Sequence, residues 1–267
     1  MLLSITGIIC YLLSTAFIGL RLRHVLRGAE PLAPYAVLGF WLIAWLAHGL
    51  NLYHLIVTGH GLNLRFFHAL SLVAWLMAGL LLFSLRSRSL EPLGIVILPL
   101  AAVTMLLDQI FPEVRFTPEQ SAIGLDVHIF VSLLAYSLLA LAALQAVVLA
   151  VQDRHLHNHQ PGGLIRLLPP LQHMEDLLFR MIGLGFVLLS LALLTGFYYL
   201  EDMFAQHVAH KTVLSIIAWL IFAVLLVGRW RFGWRGRTAV RWTLGGFLTL
   251  MLAYFGSKLV LEFILHR

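Results

Sequence analysis

The sequence predicts an all-α fold: a polytopic membrane protein built as a single bundle of about eight transmembrane helices. Three observations predict it. Of its 267 residues, 61% are hydrophobic and 11% are charged, against about 25% charged in an ordinary soluble domain. The mean hydropathy is +0.93, which implies more apolar surface than one soluble core of this size can hide. The apolar residues also fall in runs of roughly 20, the length of a helix crossing a bilayer. They do not alternate in segments of about ten residues, as the strands of an outer-membrane barrel do.

Charge, proline and glycine bound the spans in turn. They are expected at 2–20, 32–57, 67–85, 92–110, 127–151, 178–200, 212–229 and 239–264. Residues 1–20 read as a retained span, because no basic residue precedes the apolar stretch and a basic cluster follows it. The segment 152–177, rich in His, Pro and Gly, is expected to be a loop with a short amphipathic helix around Leu171–Phe179. No internal repeat is visible, so residues 1–267 are taken as a single transmembrane domain. Small residues at Ala253 and Ser257 suit close helix contact.

Orientation follows from the basic residues. Thirteen fall in one set of alternate loops: Arg21, Arg23 and Arg27; Arg86 and Arg88; Arg154, Arg166 and Arg180; Arg229, Arg231, Arg235, Arg237 and Arg241. The other set holds Arg65, Arg115, Lys211, Lys258 and Arg267. The positive-inside rule places the first set in the cytoplasm, and eight spans then put both termini outside, in the periplasm.

Composition also excludes functions. Cys10 is the only cysteine, so no intrachain disulfide or Cys-x-x-Cys redox pair exists. The net charge of +6 is scattered between apolar runs and forms no single face, so no nucleic-acid partner is expected. No nucleotide loop, zincin helix or nucleophile elbow occurs, and the protein is not expected to be an enzyme. Asp108, Asp126, Glu201, Asp202 and Glu262 all fall near outer ends of spans. Mid-membrane acids, which mark ion and proton paths, are missing.

The histidines are the strongest chemical signal. There are 13, and on this topology His48, His54, His60, His68, His128, His207, His210 and His266 lie at or near the outer side. Imidazole is the commonest metal ligand and an axial ligand of haem iron, so helices bringing several to one depth could build such a site. His48 ends the stripe Trp41–Trp45–His48 on the second span, which suits a planar macrocycle or ordinary aromatic packing equally. His68 and Trp75 stand two turns apart on one face of the third. His128 opens the fifth span, with Ser132 and Tyr136 on nearly the same face, and Ser132 is placed to bond a propionate or a neighbouring helix. His210 precedes Lys211 at the start of the seventh. The run His155–His159 reads as a solvated cytoplasmic loop that could bind a soft metal.

Three stretches carry a resemblance. They are His128-Ile-Phe-Val-Ser-Leu-Leu-Ala-Tyr136; His210-Lys-Thr-Val-Leu-Ser-Ile-Ile-Ala-Trp219 with Gly233-Trp234-Arg235-Gly236; and Gly245-Gly246-Phe247 through Tyr254-Phe255-Gly256. From about residue 65 to 267 the chain resembles the integral-membrane cytochrome c assembly family, the CcsA- and CcmC-related haem-handling proteins. It is most similar to the HemX-like and YpjD-like inner-membrane branch. The resemblance implies haem held toward the outer face by histidines and a Trp-rich loop, with His128 matching the family's first outer-face histidine. The chain departs from the pattern elsewhere. Of the Trp-rich motif only Lys211 remains, Val227 stands where the family has a histidine, and His266 is one position away from the terminal one.

Three functions are compared. The first is a haem-binding accessory of cytochrome c-type assembly in the bacterial inner membrane, without catalytic turnover. His128 would be one axial ligand, His210, His68 or His48 the second, and Trp45 and Trp75 would pack on the ring. Its partners would be the lipid bilayer, haem and other membrane or cytochrome-assembly proteins. The second is divalent-metal transport, resistance or regulation without haem, with His128 and His210 among the ligands. The third is a structural partner of other membrane proteins. The topology is checked by reporter fusions: those at Arg27, Arg88, Asp153 and Arg235 should read cytoplasmic, and those at Arg115, Glu201 and Arg267 external. A cytoplasmic C-terminus would refute the eight-span order.

Overall fold

The computed structural model describes residues 2–26, 35–58, 61–84, 92–111, 123–158, 168–199 and 209–256. The eight expected helices are present: α1 Leu2–Leu26, α2 Tyr35–Ile56, α3 Phe66–Ser84, α4 Gly94–Ile110, α5 Ile123–His157, α6 Leu171–Tyr199, α7 Ala209–Phe232 and α8 Gly236–Met251. A π-helical turn, Leu252–Gly256, continues α8. Between α2 and α3 the chain reverses through a short antiparallel ladder pairing Val57 with Leu62 and Thr58 with Gly61. Among the described residues six helices are long and apolar enough to cross a membrane, and α4 is a shorter apolar one.

The segment 152–177 is more helical than expected. α5 has 35 residues, about 50 Å at 1.5 Å per residue, so it outruns a hydrocarbon core of about 30 Å. The amphipathic stretch Leu171–Phe179 is not a separate helix; it forms the first turns of α6. Pro169 and Pro170 permit a helix to start but not to precede that point. The Pro170 carbonyl accepts from the His173 and Met174 amides, and no proline interrupts the chain between Leu171 and Tyr199. Ser257 lies outside the described residues, whereas Ala253 is buried.

The helices group into two compact units. One comprises residues 1–120 with 155–169, and the other residues 121–154 with 170–267. In the first, α1 packs on α2 and α4, and α3 packs on α2 and α4, giving a closed ring of four. Tyr11, Ile18, Trp41, Leu81, Ile97, Leu98 and Met105 fill its centre. Leu42, Ile43, Leu46 and Leu50 on α2 stay exposed, the face a lipid-embedded helix turns outward. α2 and α3 are clasped by two indoles. The rings of Trp45 and Trp75 stack at 4.9 Å, 4° from parallel. Each donates its N–H to the other's backbone carbonyl, Trp45 to Trp75 at 3.2 Å and Trp75 to Trp45 at 2.8 Å. Glycine makes room: a Cβ on Gly79 would lie 2.6 Å from Trp45, and one on Gly49 would lie 2.9 Å from Trp75.

In the second unit α7 and α8 form a helical hairpin, α6 packs on α7, and the π turn packs back on both hairpin helices. The hairpin turn explains the Gly-Trp-Arg-Gly element. Gly233 and Gly236 take φ of 66° and 52°, values that favour glycine. The Gly233 amide donates to the Arg229 carbonyl and the Trp234 amide to the Gly228 carbonyl, each at 3.2 Å, closing α7. The Trp234 ring lies against Gly228, where no side chain would fit. Glu175 on α6 is buried and accepts the Gly236 amide at 2.6 Å, satisfying an orphan donor at the start of α8 and facing its positive dipole end. Gly79→Ala should destabilise the protein by about 1–3 kcal/mol, read as a lower melting temperature in detergent. Gly39→Ala, where nothing stands within 4 Å, should not lower it.

Candidate functional site

Near one end of the first unit the structure separates two histidines that the sequence treats alike. His48 on α2 is fully buried and engaged on both nitrogens. Its Nδ1 lies 3.3 Å from the Tyr11 hydroxyl and its Nε2 lies 2.9 Å from Ser71 Oγ. It therefore ties α1, α2 and α3 together and keeps no lone pair for a ligand. One turn toward the outer end, Ser4 donates to Asn51 at 2.9 Å and joins α1 to α2 again.

His68 is different. It stands in the first turn of α3, and Asp108 stands in the last turn of α4, the neighbouring helix running the other way. Their side chains are 9% and 1% exposed, with Nδ1 and Oδ1 2.5 Å apart. With the carboxylate ionised and the ring neutral, Nδ1–H is the donor and Nε2 keeps its lone pair. Asp108 Oδ2 has no partner among the described residues. A carboxylate behind an imidazole is the arrangement that orients histidine ligands and raises their basicity. The sequence places both groups near outer ends but does not pair them. The missing signal was that α3 and α4 are antiparallel neighbours, which brings the start of one beside the end of the other.

In the second unit His128 lies in the second turn of α5, half-buried against α6. Its Nδ1 is 3.2 Å from Thr195 Oγ1. The Thr195 hydroxyl already gives its single proton to the carbonyls of its own helix, Leu191 at 2.8 Å and Ala192 at 3.1 Å. With its proton so placed it accepts from Nδ1–H, the tautomer that leaves the lone pair on Nε2. Two glycines permit the contact: a Cβ on Gly196 would meet the His128 ring at 2.9 Å, and one on Gly124 would run into the Tyr199 ring. Ser132 turns back on its own helix, its hydroxyl donating to the His128 carbonyl at 2.7 Å. Tyr136, also aligned with His128 in the sequence, packs with Phe247, Tyr254 and Phe255.

The other sequence candidates are dispersed. His210 is exposed at the start of α7, and His54 is exposed at the end of α2. His155 and His157 belong to the last turns of α5. His60, His159, His207 and His266 lie outside the described residues. Among the described residues no three of His, Cys, Asp and Glu gather as a metal set. Trp45 and Trp75, expected to wall a macrocycle, stack on each other. Val227, at the position of a family histidine, is 53% exposed. Trp219 of the resembling segment donates to Ser190 at 2.8 Å and stacks on Phe186, joining α7 to α6.

The family model described as cytochrome C assembly protein matches residues 35–265, from α2 through α8. The chain belongs to the cytochrome c assembly family. The family match starts earlier than the resemblance from about residue 65, so it adds α2 with His48. Among its relatives, the inner membrane protein YpjD of Escherichia coli strain K12 is 35% identical over 209 residues, covering 76% of this chain and 77% of that one. An Azospirillum brasilense protein described as an uncharacterized 28.8 kDa protein in the nifR3-like 5′ region is 36% identical over 145 residues, 54% of each chain. The cytochrome c biogenesis protein CcsA of Chlamydomonas reinhardtii is 24% identical over 216 residues, 77% of this chain and 60% of that one. No solved structure matches.

His48 should act as a structural tie. His48→Ala is expected to destabilise the folded protein by about 1–2 kcal/mol by stranding Tyr11 and Ser71, measured by reversible unfolding in mixed micelles. In the Tyr11→Phe background the same change should cost less, a coupling a double-mutant cycle resolves.

Proposed function

We propose that this member of the family is a haem-binding accessory of cytochrome c-type assembly, seated in the bacterial inner membrane and handling haem toward its outer face without catalytic turnover. Family membership supports the setting, and the printed names of its relatives, an inner membrane protein and a cytochrome c biogenesis protein, agree with it. One observation carries the reading. In each unit a histidine, His68 or His128, is met at Nδ1 by a side-chain oxygen, and in the tautomer that donates from Nδ1 the Nε2 lone pair is kept for a ligand. Haem iron takes an imidazole nitrogen as an axial ligand, so the donors present fit the group. His128 remains the first candidate, because it occupies the matching position of the family segment. His68 is the candidate with a buried carboxylate behind it. His210 is a third, exposed at the start of α7. His48 is set aside because both its nitrogens are engaged.

The chain's own groups divide the work. Asp108 and Thr195 hold the two rings and select their tautomers. Gly196 lets the His128 ring lie flat on α6, so a methyl group there would displace it. Hemin titration of the detergent-purified protein tests this reading by absorbance. Wild-type protein should give a Soret band with low-spin character. His128→Ala and His68→Ala should each shift the spectrum toward high spin or weaken retention, and Asp108→Asn should weaken it about tenfold. His157→Ala should change nothing. A wild-type spectrum in well-folded His128→Ala protein would remove His128 from the site. Wild-type protein that takes no hemin but retains a divalent cation would replace haem handling by metal handling.

A further inference from the structure

The end of the second unit assigned to the cytoplasm carries a second feature, independent of the histidines. Its described residues there hold seven arginines, Arg154, Arg180, Arg229, Arg231, Arg235, Arg237 and Arg241, against the acids Asp153, Glu175 and Asp176. The acids are already engaged. Asp176 accepts from Arg229 at 3.2 Å, Asp153 faces Arg237 at 3.6 Å, and Glu175 caps α8. Arg231, Arg235 and Arg241 are exposed and meet no carboxylate among the described residues. Their scaffold is stiff. Arg229 donates to the Trp234 carbonyl at 3.3 Å and lies over the Phe179 ring at 4.6 Å, while Trp234 sits between Gly228 and Trp242. The turn is thus held from α6 and from both hairpin helices, and ordering it costs a ligand little.

Beside these cations two aromatic side chains at the end of an apolar span face outward: Trp230 is 82% exposed and Phe232 is 74% exposed. Aromatic rings at this depth belong in the interfacial belt of a bilayer, where headgroups begin. A soluble anion has no use for them, whereas a phospholipid supplies both the phosphate and the apolar neighbour. The residue type narrows the chemistry further. All thirteen basic residues assigned to the cytoplasmic side are arginine, and the only two lysines, Lys211 and Lys258, lie in the other set. Guanidinium matches phosphate oxygens in a planar fork, while an ammonium is a point charge.

We infer that the α7–α8 turn, through Arg231, Arg235 and Arg241 with Trp230 and Phe232, is a binding site for the phosphate headgroup of an anionic phospholipid. Each cation near an anionic surface contributes about fivefold in affinity, so the three together select strongly for anionic over zwitterionic lipid.

The test uses the full chain in nanodiscs of equimolar phosphatidylglycerol and phosphatidylcholine, with the lipids retained after release counted by native mass spectrometry. Wild-type protein should retain phosphatidylglycerol in clear excess. The triple variant Arg231→Gln, Arg235→Gln, Arg241→Gln should lose that excess while keeping its melting temperature in detergent, because the three side chains are exposed. The corresponding triple Lys variant should retain an intermediate excess. Equal retention of the two lipids by wild-type protein would overturn the inference, as would an undiminished excess in the Gln variant. Displacement of the retained phosphatidylglycerol by inorganic phosphate at matched phosphate concentration would assign the site to a small anion and overturn the lipid. An undiminished excess in the Lys variant would overturn the guanidinium fork.

Discussion

A polar group inside a hydrocarbon layer must find its partner within the protein, and the rest of this structure depends on that requirement. The backbone meets it by being helical. Hydroxyls meet it locally, by donating to a carbonyl one turn back: Thr15 to Tyr11, Ser84 to Leu80, Ser137 to Leu133, Ser190 to Phe186, Thr243 to Ala239 and Thr249 to Gly245. Side chains that cannot fold back must reach another helix. Those are the residues that decide which helices touch: Trp45 and Trp75, His48, Asp108, Gln145, Glu175 and Trp219.

The long-range ties share a construction. A large side chain with one or two polar atoms crosses to a neighbouring helix, and a glycine there lets it lie flat. Trp45 lies on Gly79, Trp75 on Gly49 and His128 on Gly196. Association without a hydrophobic driving force rests on such close packing and interhelical hydrogen bonds. It also explains why glycines that look like helix breakers persist within apolar spans.

The same rule gives the histidines different chemistry from similar surroundings. His48 is met from two sides and becomes part of the frame. His68 and His128 are met by a side-chain oxygen at Nδ1 alone, and in the tautomer that donates there Nε2 keeps its lone pair. A buried aspartate would be costly in this position without a partner; beside His68 it acquires a role in setting the tautomer of a ring at the outer end of a span.

The sequence by itself determined the eight helices, because runs of apolar residues about as long as a bilayer is thick have one stable backbone solution there. It also determined their approximate ends, from charge, proline and glycine. It misjudged the segment 152–177, since nothing in a polar stretch of helix-forming residues marks where α5 should stop, and the helix runs on to His157. It identified outer-end histidines by position alone. Which of them keep a free nitrogen was decided only by tertiary structure, because that depends on which helix lies opposite and whether the facing atom donates or accepts. Trp45 and Trp75 read as a wall for a flat ligand along one chain; only the approach of α2 to α3 makes them partners of each other. The pairing of His68 with Asp108, 40 residues apart, is likewise a fact of packing, since span order leaves open which helices become neighbours.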